Sequence, residues 1–416
     1  MSKPLLTVNA GVYLLKWEPE QITMRIDRIR EDKVNVTGEV TVKTTLPGIA
    51  DHLHQARLNL TSTTARRTVS SHLKTRLDTL DWDAMVEQAC VKVLEHYRQG
   101  EPVILVWNLE RTNSEDFLVF PMIRLQEPTL VYADGGSGKS TVGALIAVMV
   151  QAGYPGIKGL PVKYSGNVLW LDYEASADEV DERVKQIRPA LGISDAVQLY
   201  YRYCSQPLSD EIEEIQRIVA ELDITLIVID SLALACGGEP EKTEYVIPYF
   251  AALRSLRRSS MTIHHINKEG RFYGNVYLRN MSRNVWILKK TQEPGDDDLA
   301  VGLYHDKANR SKQFQPIGIR FNYAAVNAGT GHMSIEPYEL MDDPVQSKNL
   351  PIKDRAIAFL KHYKKATVKE IAEEIQAEEA SVKVILNRYK GTFFQPIQDK
   401  GETFWGLSAF HTMEEK

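Results

Sequence analysis

The chain has 416 residues, 43% hydrophobic and 25% charged, with a formal net charge of −5. That length is room for two or three domains, the composition is ordinary for a soluble globular protein, and the net charge excludes a globally basic nucleic-acid binder, so any such surface must be local. Three widely separated cysteines, Cys90, Cys204 and Cys236, exclude a disulfide framework or a CxxC site and fit a reducing compartment.

The first twenty residues lack the long apolar core of a signal peptide, and no run reaches membrane-spanning length, so the expected location is cytoplasmic with no membrane partner. Residues 11–46 alternate apolar and polar positions, a period of two that predicts short β-strands. From His52 to Leu77 runs a basic stretch with Arg57, Arg66, Arg67, Lys74 and Arg76 and no acid, amid Ser and Thr able to donate to phosphates. A solvated helix face would have the same composition. Helical spacing then covers 81–99, with Asp81 as cap and Gly100 as stop. Residues 1–120 thus read as a small β-rich α+β domain.

From 121 to 325, buried apolar runs such as PTLVYA, NVLWLDY and TLIVID alternate with helical segments. That pattern predicts an α/β domain with a mostly parallel sheet. Residues 326–351 have little periodicity and read as a linker. Residues 352–412 are predicted as three short helices with a strand pair, FFQPI and TFWGL, closing the unit.

Within the α/β region, ADGGSGKS matches the phosphate-loop pattern except at its first position, where Ala133 replaces glycine. Gly135, Gly136 and Gly138 let backbone amides converge on phosphates without Cβ clashes. Lys139 would reach the β and γ phosphates, and the Ser140 hydroxyl would complete a Mg²⁺ shell. The candidates for holding ATP are therefore Asp134, Gly135, Gly136, Ser137, Gly138, Lys139, Ser140 and Thr141, with the helix that follows offering its positive end. TLIVIDS ends a buried strand in Asp230, whose carboxylate would support the magnesium through water, alongside Ser140. NVLWLDYEAS ends another near Asp172 and Glu174. Glu174, just past the strand, is favoured as the residue that orients the attacking water, with Asp172 the alternative.

These segments, in this order, resemble RecA-like P-loop ATPases, and among them the DnaB-like and plasmid RepA-like hexameric helicases and related ATPases of phages and mobile elements. The resemblance covers 122–325. It implies a RecA-like core, a catalytic Glu174, and a polar sensor at the end of MTIHHINK, with His265 matching better than His264. It also implies a cationic finger acting on the neighbouring subunit. GLYHDKANRSK is similar to that element, with Lys307 and Arg310 the candidates, although Asn309 stands where the family has arginine. The physical demand is a cation meeting charge that develops on the γ phosphate.

The family's two channel loops would fall on LALACGGEPEKTEY, which is acidic, and on NKEGRFYGNVYLRNMSRN. From Arg254 to Lys290 nine Lys/Arg stand against one acid, Glu269. Lys268, Arg271, Arg279 and Arg283 would track a single-stranded backbone, and Phe272 and Tyr273 would stack on bases. The tail resembles a winged helix-turn-helix whose third helix, with Lys383 and Arg388, would enter a major groove. Eleven Lys/Arg against ten Asp/Glu over 353–416 also leave a protein-docking role open. The expectation is an ATP-dependent, Mg²⁺-requiring DNA motor, a homo-hexameric helicase or translocase on single-stranded DNA serving replication in a phage or mobile element. The alternatives are an ATP-switched DNA-binding regulator or loader, and a recombinase-like filament.

Overall fold

Alternating apolar residues near the amino terminus form five strands that pair antiparallel in chain order: β1 (Leu5–Asn9), β2 (Val12–Trp17), β3 (Ile22–Glu31), β4 (Val36–Thr44) and β5 (His52–Asn59). The structure is a computed structural model that describes residues 2–100, 103, 117–265, 276–308, 313–343, 345–399 and 401–408. Leu15, Trp17, Ile22, Met24 and Ile26 occupy the inward positions of β2 and β3 and pack beneath α1 (Thr63–Arg76) and α2 (Trp82–Gln99). Ser62 and Asp81 cap these helices by accepting from Ala65 N and Ala84 N, each at 3.2 Å. Much of the basic 52–77 stretch serves the fold. Its first eight residues are β5, Arg66 donates to the Leu60 carbonyl and pairs with Glu87, and Lys74 pairs with Asp83.

The larger unit is one nine-stranded sheet. Its strands are β6 (Pro128–Ala133), β7 (Asn167–Asp172), β8 (Tyr200–Tyr203), β9 (Ile224–Asp230), β10 (Ser259–His265), β11 (Asn284–Thr291), β12 (Asp298–Ala308), β13 (Ile317–Asn322) and β14 (Ser334–Pro337). In space they run β8-β7-β9-β10-β6-β11-β12-β13-β14. The first six are parallel, and the last three add on antiparallel. Both faces are covered, which is why the central strands read as continuous apolar runs. Val168, Trp170, Val228 and Ile263 face α3 (Lys139–Ala152) and α4 (Ala177–Ala190). The alternate residues Leu169, Leu171, Ile227 and Ile229 face α5 (Leu208–Glu221) and α6 (Thr243–Ser255). Helix α3 lies very close to the sheet: a Cβ on Gly143 would stand 3.2 Å from Ile263 and 3.3 Å from Trp170. A short helix α7 (Val276–Met281) precedes β11. Among the described residues, no helix is long and apolar enough to cross a membrane.

Helix α5 also carries the N-terminal unit. Arg217 makes a two-pronged contact with Asp27 at 2.8 and 3.1 Å, Arg28 meets Glu214 at 2.6 Å, and Arg30 meets Glu213 at 2.8 Å. A bulge in β3 between Asp27 and Arg30 turns these arginines toward the helix.

Residues 326–351 are not the linker expected from their weak periodicity. β14 extends the sheet by pairing with β13, and Gln346, fully buried, accepts from the Tyr304 hydroxyl at 2.8 Å. A four-residue edge strand with mostly exposed side chains leaves too little alternation to read.

The chain ends in α8 (Ile352–Tyr363), β15 (Lys365–Ala366), α9 (Val368–Glu374), α10 (Glu379–Arg388), β16 (Phe394–Asp399) and β17 (Glu402–Leu407). The strands pair in the order β15-β17-β16 over a core of Leu360, Ile371, Val382, Leu386, Phe394 and Trp405. Thr367 and Glu370 form a capping box at the start of α9.

Candidate nucleotide site

Strand β6 is buried throughout and ends at Ala133, where the chain turns sharply into α3. Gly136 and Gly138 take positive φ of 63° and 84°, while Ala133 does not, so the alanine is tolerated at the loop's first position. Gly138 caps α3 in the left-handed region, and a Cβ there would stand 2.9 Å from Leu299. The loop is held from inside. Ser137 Oγ donates to Asp134 O at 2.7 Å, and Gly135 N donates to Asp134 Oδ1 at 2.8 Å. Lys139 Nζ donates to Ala133 O at 3.2 Å and to Asp134 O at 2.6 Å. Burial pulls the Lys139 pKa below its usual value, against the opposing charges of Asp230, Glu174 and Asp134. Tyr323 lies near Thr141, in the first turn of α3, and burial raises its hydroxyl pKa.

Register brings the acids to the same end of the sheet. Asp172 pairs with Asp230, Asp230 with Ile263, and His265 with Ala133. Ser140 Oγ donates to Asp230 Oδ2 at 2.7 Å. Burial raises the Asp230 carboxyl, and the neighbouring charges of Glu174 and Asp172 raise it further. A buried carboxylate, a hydroxyl against it and two more carboxylates nearby form an all-oxygen, electron-rich set. That chemistry fits a hard divalent cation such as Mg²⁺ held through Ser140 and Asp230.

Glu174 and Asp172 have different surroundings. Asp172 is fully buried: its Oδ1 accepts from Glu174 N at 3.0 Å and Ala175 N at 2.9 Å, and its Oδ2 accepts from Tyr201 Oη at 3.2 Å. It shapes the turn. Glu174 projects from that turn with its side chain 39% exposed. The Ser231 hydroxyl donates to Glu174 Oε1, and His265 Nε2 lies 3.6 Å from Oε2. Mainly through His265, and also through Ser231, the Glu174 carboxyl is held below its usual range. Strand alternation separates the two histidines. Met261 and Ile263 face α3, so His265 shares the face of the loop, whereas His264 lies buried toward the other side.

Lys307 falls elsewhere. It pairs with Val285, which pairs with Leu130, so it stands toward the amino end of β6, away from its own chain's phosphate loop. Its Nζ donates to Ser282 O at 3.1 Å, to Asn280 O at 3.3 Å and to Arg279 O, at the end of α7. Burial lowers its pKa. Arg279 makes a two-pronged pair with Asp306 at 2.9 and 3.1 Å, and Arg283 is exposed. Arg310, Lys268, Arg271, Phe272 and Tyr273 lie outside the described residues. Lys383 and Arg388 are exposed on α10.

Three neighbours of the site escaped the sequence. Arg183 on α4 is near enough for its charge to lower the Asp230 carboxyl. Tyr323 is brought to Thr141 by β13. Lys290 Nζ stands 3.9 Å from where a Cβ on Gly136 would be. Only Ser231, next to Asp230, carried a signal, that of adjacency.

A glycine loop between strand and helix, a lysine and serine at its mouth, and an aspartate on a parallel strand reaching that serine define a P-loop ATPase domain. A family model described as an AAA domain matches residues 100–271, which include β6 to β10 and both motif segments. No curated protein matches the chain.

Proposed function

We infer that the chain is a Mg²⁺- and ATP-dependent DNA motor of the RecA-like class, assembled as a ring of identical subunits, that moves along or unwinds single-stranded DNA. One observation carries this reading: His265 lies 3.6 Å from Glu174 and stands three positions ahead of Lys268 in the sequence, at the start of the segment with Arg271, Phe272 and Tyr273. In this reading Lys139 and Ser140 bind phosphate and metal, Asp230 supports the metal, and Glu174 polarises water. His265 follows the state of the γ phosphate and passes it to the neighbouring basic, ring-bearing segment, which grips the strand. Lys307 is already engaged within its own chain, so Arg310 is the better candidate for a finger reaching the next subunit's nucleotide. The AAA-domain match supports the ATPase half, and the motor half is the resemblance carried to this chain.

The test is turnover and strand separation on a forked duplex, with wild type and His265→Ala. Stimulation of turnover by single strands in the wild type, lost in His265→Ala, is the expected result. Indifference of the wild type to single strands would sink the motor. The C-terminal unit favours a second reading. Its three helices and three-stranded sheet support reading it as a winged helix, in which Lys383 and Arg388, exposed on the third helix, would face DNA. An ATP-switched regulator or loader would bind one duplex sequence tightly without unwinding it.

A further inference from the structure

We propose that Lys290 is a second cation for the nucleotide's phosphates, supplied by the same chain from the strand beside the phosphate loop; this rests on the nucleotide reading above. Strand β11 runs parallel to β6, pairing Trp286 with Val131 and Ile287 with Tyr132. Carried three residues further, that register sets Lys290 level with the loop, beyond the point where β6 has ended. Alternation fixes its face: Trp286 and Leu288 lie in the core beneath α3, and Lys290 is next in the same row. Its neighbour Lys289 turns the other way, toward Tyr304 and Asn349. The row changes from indole to isobutyl to ammonium where the sheet ends and the loop begins.

The contact is close. Lys290 Nζ stands 3.9 Å from the position a Cβ would take on Gly136, at the exposed tip of the loop. Lys290 itself is exposed, and among the described residues it has no ion pair with a carboxylate. Lys139, by contrast, is buried beneath the loop and donates to its carbonyls. The two ammonium groups therefore approach the cradle from different sides, one from inside and one across its tip. A polyphosphate carries more charge than one lysine and one magnesium neutralise, and a solvent-facing lysine is suited to meet the remainder.

The test is calorimetric titration of MgATP into the full chain at two salt concentrations, comparing wild type, Lys290→Met and Lys290→Arg, with Lys139→Ala as reference. Lys290→Met should weaken binding about tenfold at low salt and reduce the salt dependence of Kd, as loss of one charge contact requires. Lys290→Arg should stay within about twofold of wild type, since it keeps the charge. A Lys290→Met protein with wild-type affinity, or with an unchanged salt slope, overturns the proposal while the nucleotide site stands. Wild type that takes up no MgATP overturns the site reading itself. Circular dichroism on each variant checks that the fold is kept, and charge-dependent rescue by arginine separates an electrostatic role from a packing one.

Discussion

Replacing Glu174 by glutamine removes a charge while keeping shape, and its effect can be worked out from the contacts. Ser231 can still donate to the amide oxygen, so the turn is kept. What the ground state loses is attraction to His265 at 3.6 Å, between side chains each about two-fifths exposed. A pair so open to solvent is worth about 1 kcal/mol or less. Nucleotide affinity should therefore change by no more than a fewfold. General-base assistance contributes roughly 10²- to 10⁴-fold, and a loss of about three decades corresponds to about 4 kcal/mol of barrier. The transition-state term exceeds the binding term several times over, so kcat should collapse while MgATP binding stays near wild type. Phosphate-release kinetics and fluorescent-nucleotide titration measure the two separately. Turnover within tenfold of wild type would refute the assignment. Asp172 would not be an easy replacement, because both its oxygens are already engaged by the turn and Tyr201.

Three further outcomes follow from the same geometry. Burial raises the Asp230 pKa, so its neutral form is favoured on folding; the stability this contributes is present at acid pH and lost as pH rises through the raised value. Asp230→Asn should therefore melt higher than wild type at neutral pH in a chelator, the gain should vanish toward acid pH, and Mg²⁺-dependent nucleotide binding should be lost; a lower melting point at neutral pH would contradict this. Asp27→Ala strands Arg217, whose remaining acids Glu39 and Glu214 are 3.6 Å away, and should cost about 2 kcal/mol in denaturant unfolding. The double variant Asp27→Ala, Arg217→Met should recover part of that loss, and simple additivity would count against a buried pair. Mixing Arg310→Ala with Glu174→Gln subunits should restore some ATPase activity if the finger reaches across subunits, measured against each variant alone; no recovery in verified mixed assemblies would dismiss Arg310.

The central strands could be read because burial on both faces makes them continuously apolar, and because β7 and β9 end in acids at the edge where the phosphate loop opens. The cap at Asp81 is local, and a local hydrogen bond leaves a local trace. Strand order was not legible. Neither the pairing of β10 with β6 nor the insertion of β9 between β7 and β10 has any mark in the composition of those runs. Lys290, Arg183 and Tyr323 reach the loop through that order, so each looked like an ordinary surface residue. The same cause hid the position of Lys307. A cation in a turn looks alike at either end of a sheet, and only the antiparallel register of β12 sets it far from its own loop.

Gly143 lies one turn beyond Ser140 and rests on Trp170 and Ile263, side chains of the two strands that lead to Glu174 and His265. That missing methyl group acts as a spacer gauge: it sets how high the cradle rides above the groups meant to work on its contents. Alanine there would meet contacts of 3.2 and 3.3 Å and lift the helix by tenths of an ångström. A related chain bearing a larger residue at this position should therefore carry a smaller partner at the tryptophan or the isoleucine, and the three sizes should be inherited together.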